Sequence, residues 1–324
     1  MEEINLQIIY NPIFLEHDTG MYPENKNRLL SLNDLPEQEI ENGEKYLQLV
    51  HTPKYIEDIK KLCLTGGYLD MDTIISRESY NSAIYAVGAT IMASRSGGFA
   101  LTRPPGHHAH PGSSSGFCIF NNIAIAVQKL VNEGKRVLIF DFDGHYGDGT
   151  ADFFYKSNRV MYWSIHQFPF FPGGGDADDI GEGEGEGYTV NVPLPPGSGD
   201  EIFMDALNTF LPIALEFNPD IIALSAGFDS HQYDMLTDLR ISANTYYKIG
   251  QIISANFNDS FAALEGGYNI KVFSDCLFNF LDGINNKEMR FSEIETDSMI
   301  QVYYEYEGRK NLAIQLLRKY WKSI

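Results

Sequence analysis

The stretch 137-VLIFDFDGHYGDGT-150 runs an apolar, partly β-branched segment straight into Asp141, Asp143, His145 and Asp148. Such a run reads as a buried strand whose polar chemistry begins where the strand ends. Side chains alternate with period two along extended chain, so Asp143 and His145 fall on one side and can reach one ion. Asp141 shares that parity and is placed to accept a hydrogen bond behind them. Two further stretches repeat the pattern. Residues 221–224 lead into 225-SAGFDSH-231 with Asp229, and residues 261–264 lead into Tyr268 within 263-ALEGGYN-269. Polar side chains gathered at strand ends are how an open α/β sheet builds its site.

Working outward, residues 8 and 9 sit in an expected first strand, and a loop from His17 runs into a helix from about Asn25. Residues 82–94 read as a helix rich in small side chains. Residues 123–131 show helical apolar spacing and stop at Gly134, ahead of the strand that opened the reading. Asp200 is expected to cap a helix through Leu215 that contains Pro212, and Ser242 to cap one through Ile253. Strands alternating with helices imply a mainly parallel sheet and an α/β class. The glycine-rich run 173-GGGDADDIGEGEGEGY-188 contains the spacing of a dinucleotide loop. Its glutamates would repel a pyrophosphate and it precedes a strand, so a surface loop is expected. The last helix is expected at about 309–322, basic, amphipathic and docked on the chain's own core.

No Pro/Ser-rich linker divides the 324 residues, so one domain spanning 1–324 is expected. Three scattered cysteines, Cys63, Cys118 and Cys276, offer neither a disulfide framework nor a metal knuckle, which fits a reducing cytoplasm. No apolar run is long enough to read as a membrane span. A net charge of −20 argues against nucleic acid as a partner and is compatible with cationic substrates.

An Asp-x-His pair with a distant Asp is a hard-oxygen and imidazole set suited to a divalent metal with open positions. Upstream, 103-RPPGHHAHPG-112 presents His107 and His108 from a rigid turn, and paired imidazoles beside a metal point to proton transfer. Asp141 and Asp148 are available to fix their tautomers. His110 reads as a rim residue. Tyr268, behind Gly266 and Gly267, is the candidate donor to an oxyanion. No serine elbow is present and Cys118 lacks an activating context, so covalent catalysis is not expected.

Taken in order, RPPGHHA, GFCIFNN, DFDGHYGDGT, SIH, GYTVNVPLPPG, SAGFDSH and ALEGGYN resemble the zinc-dependent histone deacetylase and acetylpolyamine amidohydrolase superfamily, in its class II and prokaryotic branch. The resemblance covers about residues 17–283. It implies the arginase/deacetylase fold with an eight-stranded parallel sheet. It further implies zinc, or ferrous ion, on Asp143, His145 and Asp229. His108 would be general base and acid with Asp148 behind it, His107 its electrostatic partner backed by Asp141, and Tyr268 the carbonyl's partner. Gly116, Phe117, Phe171 and Gly266 would line an acyl-lysine tunnel. Potassium would lie near Asp141, Asp143, His145, Ser164 and Ile165, and Arg28 resembles the arginine of an internal channel. Leu236 takes the position of a glutamate gatekeeper in polyamine-selective relatives.

Two positions depart from the pattern: Tyr146 and Tyr22 stand where histidine is common among relatives. The implied activity is metal-dependent deacylation of acyl-lysine in a protein or peptide, with acetylpolyamine hydrolysis as the alternative. Binuclear ureohydrolases share the fold, but Gly147 replaces the additional aspartate they need. An inactive acyl-lysine binding module would not need the intact His, Asp and Tyr set. Oligomeric state is left open.

Overall fold

In the computed structural model, which describes residues 5–324, strand β1 (Gln7–Ile9) is followed by the one-turn helix α1 (Asn27–Leu30) and by α2 (Pro53–Thr65). A small hairpin of β2 (Gly67–Tyr68) and β3 (Ile74–Ile75) precedes α3 (Ser79–Ser96) and β4 (Gly98–Ala100). Then come α4 (Asn122–Asn132), β5 (Val137–Asp141), α5 (Asp148–Phe154), β6 (Val160–Gln167) and β7 (Thr189–Leu194). The chain ends with α6 (Asp200–Phe217), β8 (Ile221–Ala226), α7 (Ala243–Asn256), β9 (Ser260–Leu264), α8 (Phe273–Ile284) and α9 (Ile300–Leu317).

The main sheet has the order β1-β4-β9-β8-β5-β6-β7, and every pairing in it is parallel. Every residue of β5 to β9 is buried, which is why these strands read as continuous apolar runs instead of alternating ones. The main sheet has seven strands among the described residues, not the eight expected. Beside β1, the chain after Pro36 contributes only a bridge between Tyr10 and Glu37, with Gln38 N donating to Tyr10 O at 2.9 Å. A proline there has no N–H to extend a ladder.

Two helix expectations are corrected. The cap of α6 is Gly199, while the Asp200 side chain accepts from Ser242 N at 2.7 Å and Thr296 N at 2.8 Å, tying three segments together. The last helix begins at Ile300, nine residues before the basic cluster that marked it in the sequence. It packs on β7 and closes that edge of the sheet. No helix is long and apolar enough to cross a membrane, among the described residues.

Because all strands run the same way, the C-terminal ends of β4, β9, β8 and β5, four neighbours, open onto one edge. The loops that leave them carry His107 and His108, Tyr268, Asp229, and Asp143 with His145.

Candidate active site

At that edge Asp143, His145 and Asp229 are all buried, and one ligand atom from each lies within 4.8 Å of the others. His145 Nδ1 is 3.1 Å from Asp143 Oδ1 and 2.9 Å from Asp229 Oδ2. Its Nε2 lies 3.0 Å from the Leu236 carbonyl, which can only accept, so Nε2 carries hydrogen and Nδ1 is the ring atom turned to the carboxylates. Backbone N–H groups hold the rest: Gly266 donates to Asp143 Oδ2 and Gly144 to Asp229 Oδ1, both at 2.7 Å. A side chain at Gly266 would place its Cβ 2.3 Å from Asp229 Oδ2, so only glycine lets this backbone approach. Burial, then the charge of Asp143, pushes Asp229 up to about 6. Against its own burial, the two carboxylates push His145 up to about 10. Two buried carboxylates and an imidazole lone pair, with no lysine or arginine bonded to them, are a donor set that fits a divalent cation.

A second buried trio, His107, Cys118 and Glu265, is equally close. In it Glu265 Oε2 accepts from the N–H groups of Gly106 at 2.8 Å and His107 at 3.1 Å, and Cys118 Sγ accepts from His108 N at 3.5 Å, while Glu265 Oε1 has no hydrogen-bond partner.

The rings of the histidine pair lie with centroids 4.0 Å apart, tilted by 48°, yet the two are in opposite electrostatic settings. His107 Nδ1 is 3.3 Å from Asp141 Oδ2, and its Nε2 is 3.9 Å from Asp143. Burial opposes its charge, but Asp143, Asp141 and Glu265 together raise its pKa well above the ordinary value. His108 Nδ1 is 2.8 Å from Asp148 Oδ1, while burial and then the adjacent His107 lower it to about 4. The two rings are thus pushed apart, His107 toward its charged form and His108 toward its neutral one. Asp148 opens α5, where the helix end favours its charge.

His110, read from sequence as a rim residue, shares Asp148. Its Nε2 is 3.0 Å from Asp148 Oδ2 and its Nδ1 3.1 Å from Asp152, which together push it up to about 9. Behind the loop, His51 donates from Nδ1 to the His110 carbonyl at 3.0 Å and accepts from Asn121 N at 2.9 Å. Asn121 in turn caps α4 through Ala124 N. Asn121 Nδ2 and Asn122 Nδ2 donate to Ala109 O and Pro104 O, both at 3.2 Å, so the NN of GFCIFNN pins the histidine turn to the start of α4.

Above these groups lies a cavity of about 240 Å³ lined by Asp72, His108, Gly116, Phe117, His145, Phe170, Phe171, Leu236 and Tyr268. Phe117 packs edge-on against Tyr268 at 5.4 Å, and Phe171 against His108 at 5.3 Å. Gly116 has φ +56°, and a Cβ there would meet His108 Cδ2 at 2.4 Å. Burial and the nearby Asp143 and Asp229 raise Tyr268 well above its ordinary pKa, so its hydroxyl keeps a proton to donate.

The histone deacetylase domain family matches residues 20–284. The chain is 38% identical over 322 residues to a probable deacetylase of Methanothermobacter thermautotrophicus, covering 93% of this chain and 97% of that one. It is 37% identical to a probable deacetylase of Archaeoglobus fulgidus over 82% of this chain and 81% of that one. The chain belongs to the histone deacetylase family. The solved HDA15 HD domain superposes with TM-score 0.86 at 27% identity, covering 97% of this chain and 96% of that one. An acetylpolyamine aminohydrolase from Burkholderia pseudomallei gives 0.80 at 26% over 86% and 98%. The chemistry of this deacetylase-family chain is amide hydrolysis.

Three contacts in the deacetylase site had no sequence signal strong enough to be read. Asp234, in the Asp229 loop, accepts from Tyr268 N at 2.7 Å and Asn269 N at 3.0 Å. Asp72 puts a carboxylate in the cavity lining, and Phe170 sits 5.5 Å from the His145 ring. Arg28 is fully buried. It donates from Nε to Gly267 O at 2.8 Å and from Nη2 to Glu265 O at 2.6 Å, clamping the turn that carries Tyr268. Among the residues the resemblance assigns to potassium, Asp141 and Ser164 are register partners on β5 and β6, and Ser164 Oγ bonds His166 Nδ1 at 2.8 Å.

Proposed function

We propose that this protein removes acyl groups from lysine side chains of peptides or proteins, with a divalent metal, zinc or ferrous ion, held by Asp143, His145 and Asp229. The carrying observation is the His107 and His108 pair, each with its own carboxylate, Asp141 and Asp148, set against that ligand cluster at the floor of an apolar cavity. A bound divalent ion supplies Lewis acidity, polarising the amide carbonyl and acidifying water. His108, backed by Asp148, takes the proton of the attacking water and later delivers it to the departing amine. His107 keeps its charge and stabilises the negative charge that develops. Tyr268 donates its hydroxyl hydrogen to the oxyanion, and Phe117 and Phe171 enclose the methylenes of the lysine. A potassium ion near Asp141 and Ser164 is part of the same proposal.

Acetylpolyamine hydrolysis is the second reading, favoured by the net charge of −20 and by Asp72 in the cavity lining. Leu236 at the mouth opposes it, since an apolar side chain offers a distant ammonium no partner. The test is a panel of acetyl-lysine peptides, longer acyl-lysines and N8-acetylspermidine on metal-reconstituted protein. Higher kcat/KM for peptides is expected, with Tyr268→Phe lowering kcat ~10²-fold or more and His108→Ala at least as much. Near wild-type turnover in both variants would overturn the assignment of roles.

A further inference from the structure

Helix α9 lies outside the residues matched by the deacetylase family, yet it touches the loop that carries one wall of the cavity. It is seated firmly. Tyr306 Oη and Lys310 Nζ each donate to Asp205 Oδ2 on α6 at 2.7 Å, and just beyond the helix Trp321 Nε1 donates to Gly187 O at 2.7 Å. From this platform Arg309 extends toward the loop that follows β6. Its guanidinium lies over the Phe168 ring, 4.8 Å from the centroid, and its Nη1 is 3.7 Å from Asp176 Oδ1.

Phe168 and Asp176 bracket the segment that carries Phe170 and Phe171. Between them the chain closes on itself through Gly173 N to Phe170 O at 2.9 Å, and His166 Nε2 bonds Gly175 O at 2.9 Å. Phe171 is 42% exposed, so its position depends on the loop beneath it more than on packing around it.

We propose that Arg309 is a positioning residue for this wall of the tunnel: by stacking on Phe168 and pairing with Asp176 it fixes the loop that holds Phe171 over His108 and so sets how tightly the acyl-lysine chain is gripped. The effect on substrate rests on the deacylase reading; the brace itself does not. A stacked guanidinium is planar and weakly hydrated, so lysine replaces it only in part. Neither contact touches the metal ligands or the His108 and Asp148 pair, so the expected change is in binding and not in the chemical step.

Two measurements test this. Hydrogen exchange of the Gly173 and Asp179 amides, the second bonded to Asp176 O at 3.0 Å, is expected to quicken in Arg309→Ala while amides of β5 and β8 keep wild-type rates. Unchanged exchange in the loop overturns the brace whatever the substrate is. On an acetyl-lysine peptide, Arg309→Ala is expected to raise KM about tenfold, the scale of a partly desolvated cation–π contact, with Arg309→Lys intermediate. In the Phe171→Ala background the same substitution is expected to add little, because both act through one wall. Additive effects, or a fall in kcat at unchanged KM, overturn the assigned role. A wild-type protein inactive on every acyl-lysine peptide removes the deacylase reading, and the exchange result still decides the brace.

Discussion

Two clusters of charged side chains lie buried in this molecule, and only one of them closes on itself. Near the N-terminus Glu24 accepts from Arg103 Nη2 at 2.8 Å and from Arg28 Nη1 at 3.2 Å, while Arg103 Nη1 also donates to Phe14 O at 3.0 Å. His17, its Nδ1 2.7 Å from Ser79 Oγ, sits 3.7 Å from the same carboxylate. Against burial, the two guanidiniums hold Glu24 at about 2. At the strand ends, by contrast, Asp141, Asp143 and Asp229 have only His107 and His145 as basic partners. The single carboxylate of the first cluster has two guanidiniums on it, while the three of the second outnumber their imidazoles. A buried carboxylate with its partners in place is structural, and a cluster with surplus carboxylate is built for something it does not itself contain.

The largest expected effect breaks the open cluster. Asp229→Asn keeps an acceptor for Gly144 N but removes one anionic ligand. Hydrolysis is expected to fall by more than ~10³-fold, the several kcal/mol a Lewis acid supplies. Metal analysis should show a large loss of bound ion. The metal-free variant should melt no lower than metal-free wild type, because a like-charge repulsion has been relieved. Stoichiometric metal in the variant would refute the ligand assignment.

The same substitution logic reverses in the closed cluster. Arg103→Met removes the two-point partner of Glu24, leaving Oε2 without its donor, and is expected to cost ~3–5 kcal/mol of stability, the usual loss when one partner of a buried pair goes. Urea unfolding would measure it, with metal stoichiometry unchanged. A loss below ~1 kcal/mol, typical of an exposed pair, would show that this cluster does not hold the fold.

How much of this contrast is visible in sequence follows from distance along the chain. The open cluster is legible because its members end strands: Asp141, Asp143 and His145 keep period two, and Asp229 and Tyr268 follow apolar runs of the same kind. The α/β class and the parallel sheet came through on the same signal. Glu24 and Arg103 are 79 residues apart with no periodicity to join them, and Asp234 meets Tyr268 across 34. Arg309 finds Phe168 only because α9 lies on β7. The start of α9 was missed because its first turns carry Tyr303, Tyr304 and Glu305 on exposed faces, which blurs the apolar stripe. Nothing in HHAH says that Asp148 bonds two rings, His108 and His110.

Acid sharpens the comparison. Burial holds His17 neutral in the closed cluster and lowers it to about 4. Its folded pKa lies below the unfolded value near 6.5, so its contribution is complete above pH 6.5 and is lost as pH falls through 4. That gap is worth on the order of 3 kcal/mol. Glu24 adds a further loss only below about pH 4.5. In urea titrations between pH 7 and 4, His17→Gln should lower the proton uptake on unfolding by about one. An identical slope in wild type and variant would mean that His17 is not buried neutral.

The smallest expected effect lies at the mouth, where the open cluster meets its substrate. Leu236 serves the site twice: its carbonyl receives His145 Nε2, and its side chain lines the cavity. Leu236→Glu alters only the second, since the backbone oxygen stays in place, so metal content and turnover of an acetyl-lysine peptide should stay close to wild type. The new carboxylate gives the second ammonium of an acetylpolyamine a partner at a solvent-exposed rim. Such pairs contribute ~0.2–1 kcal/mol, so the ratio of kcat/KM for N8-acetylspermidine over peptide should rise roughly two- to fivefold. The gain should shrink at high salt, because exposed charges are screened. A salt-independent gain would point to altered cavity shape. No gain, with turnover intact, would show that the mouth does not choose between an apolar peptide side chain and a polycation, leaving Asp72 as the group that does.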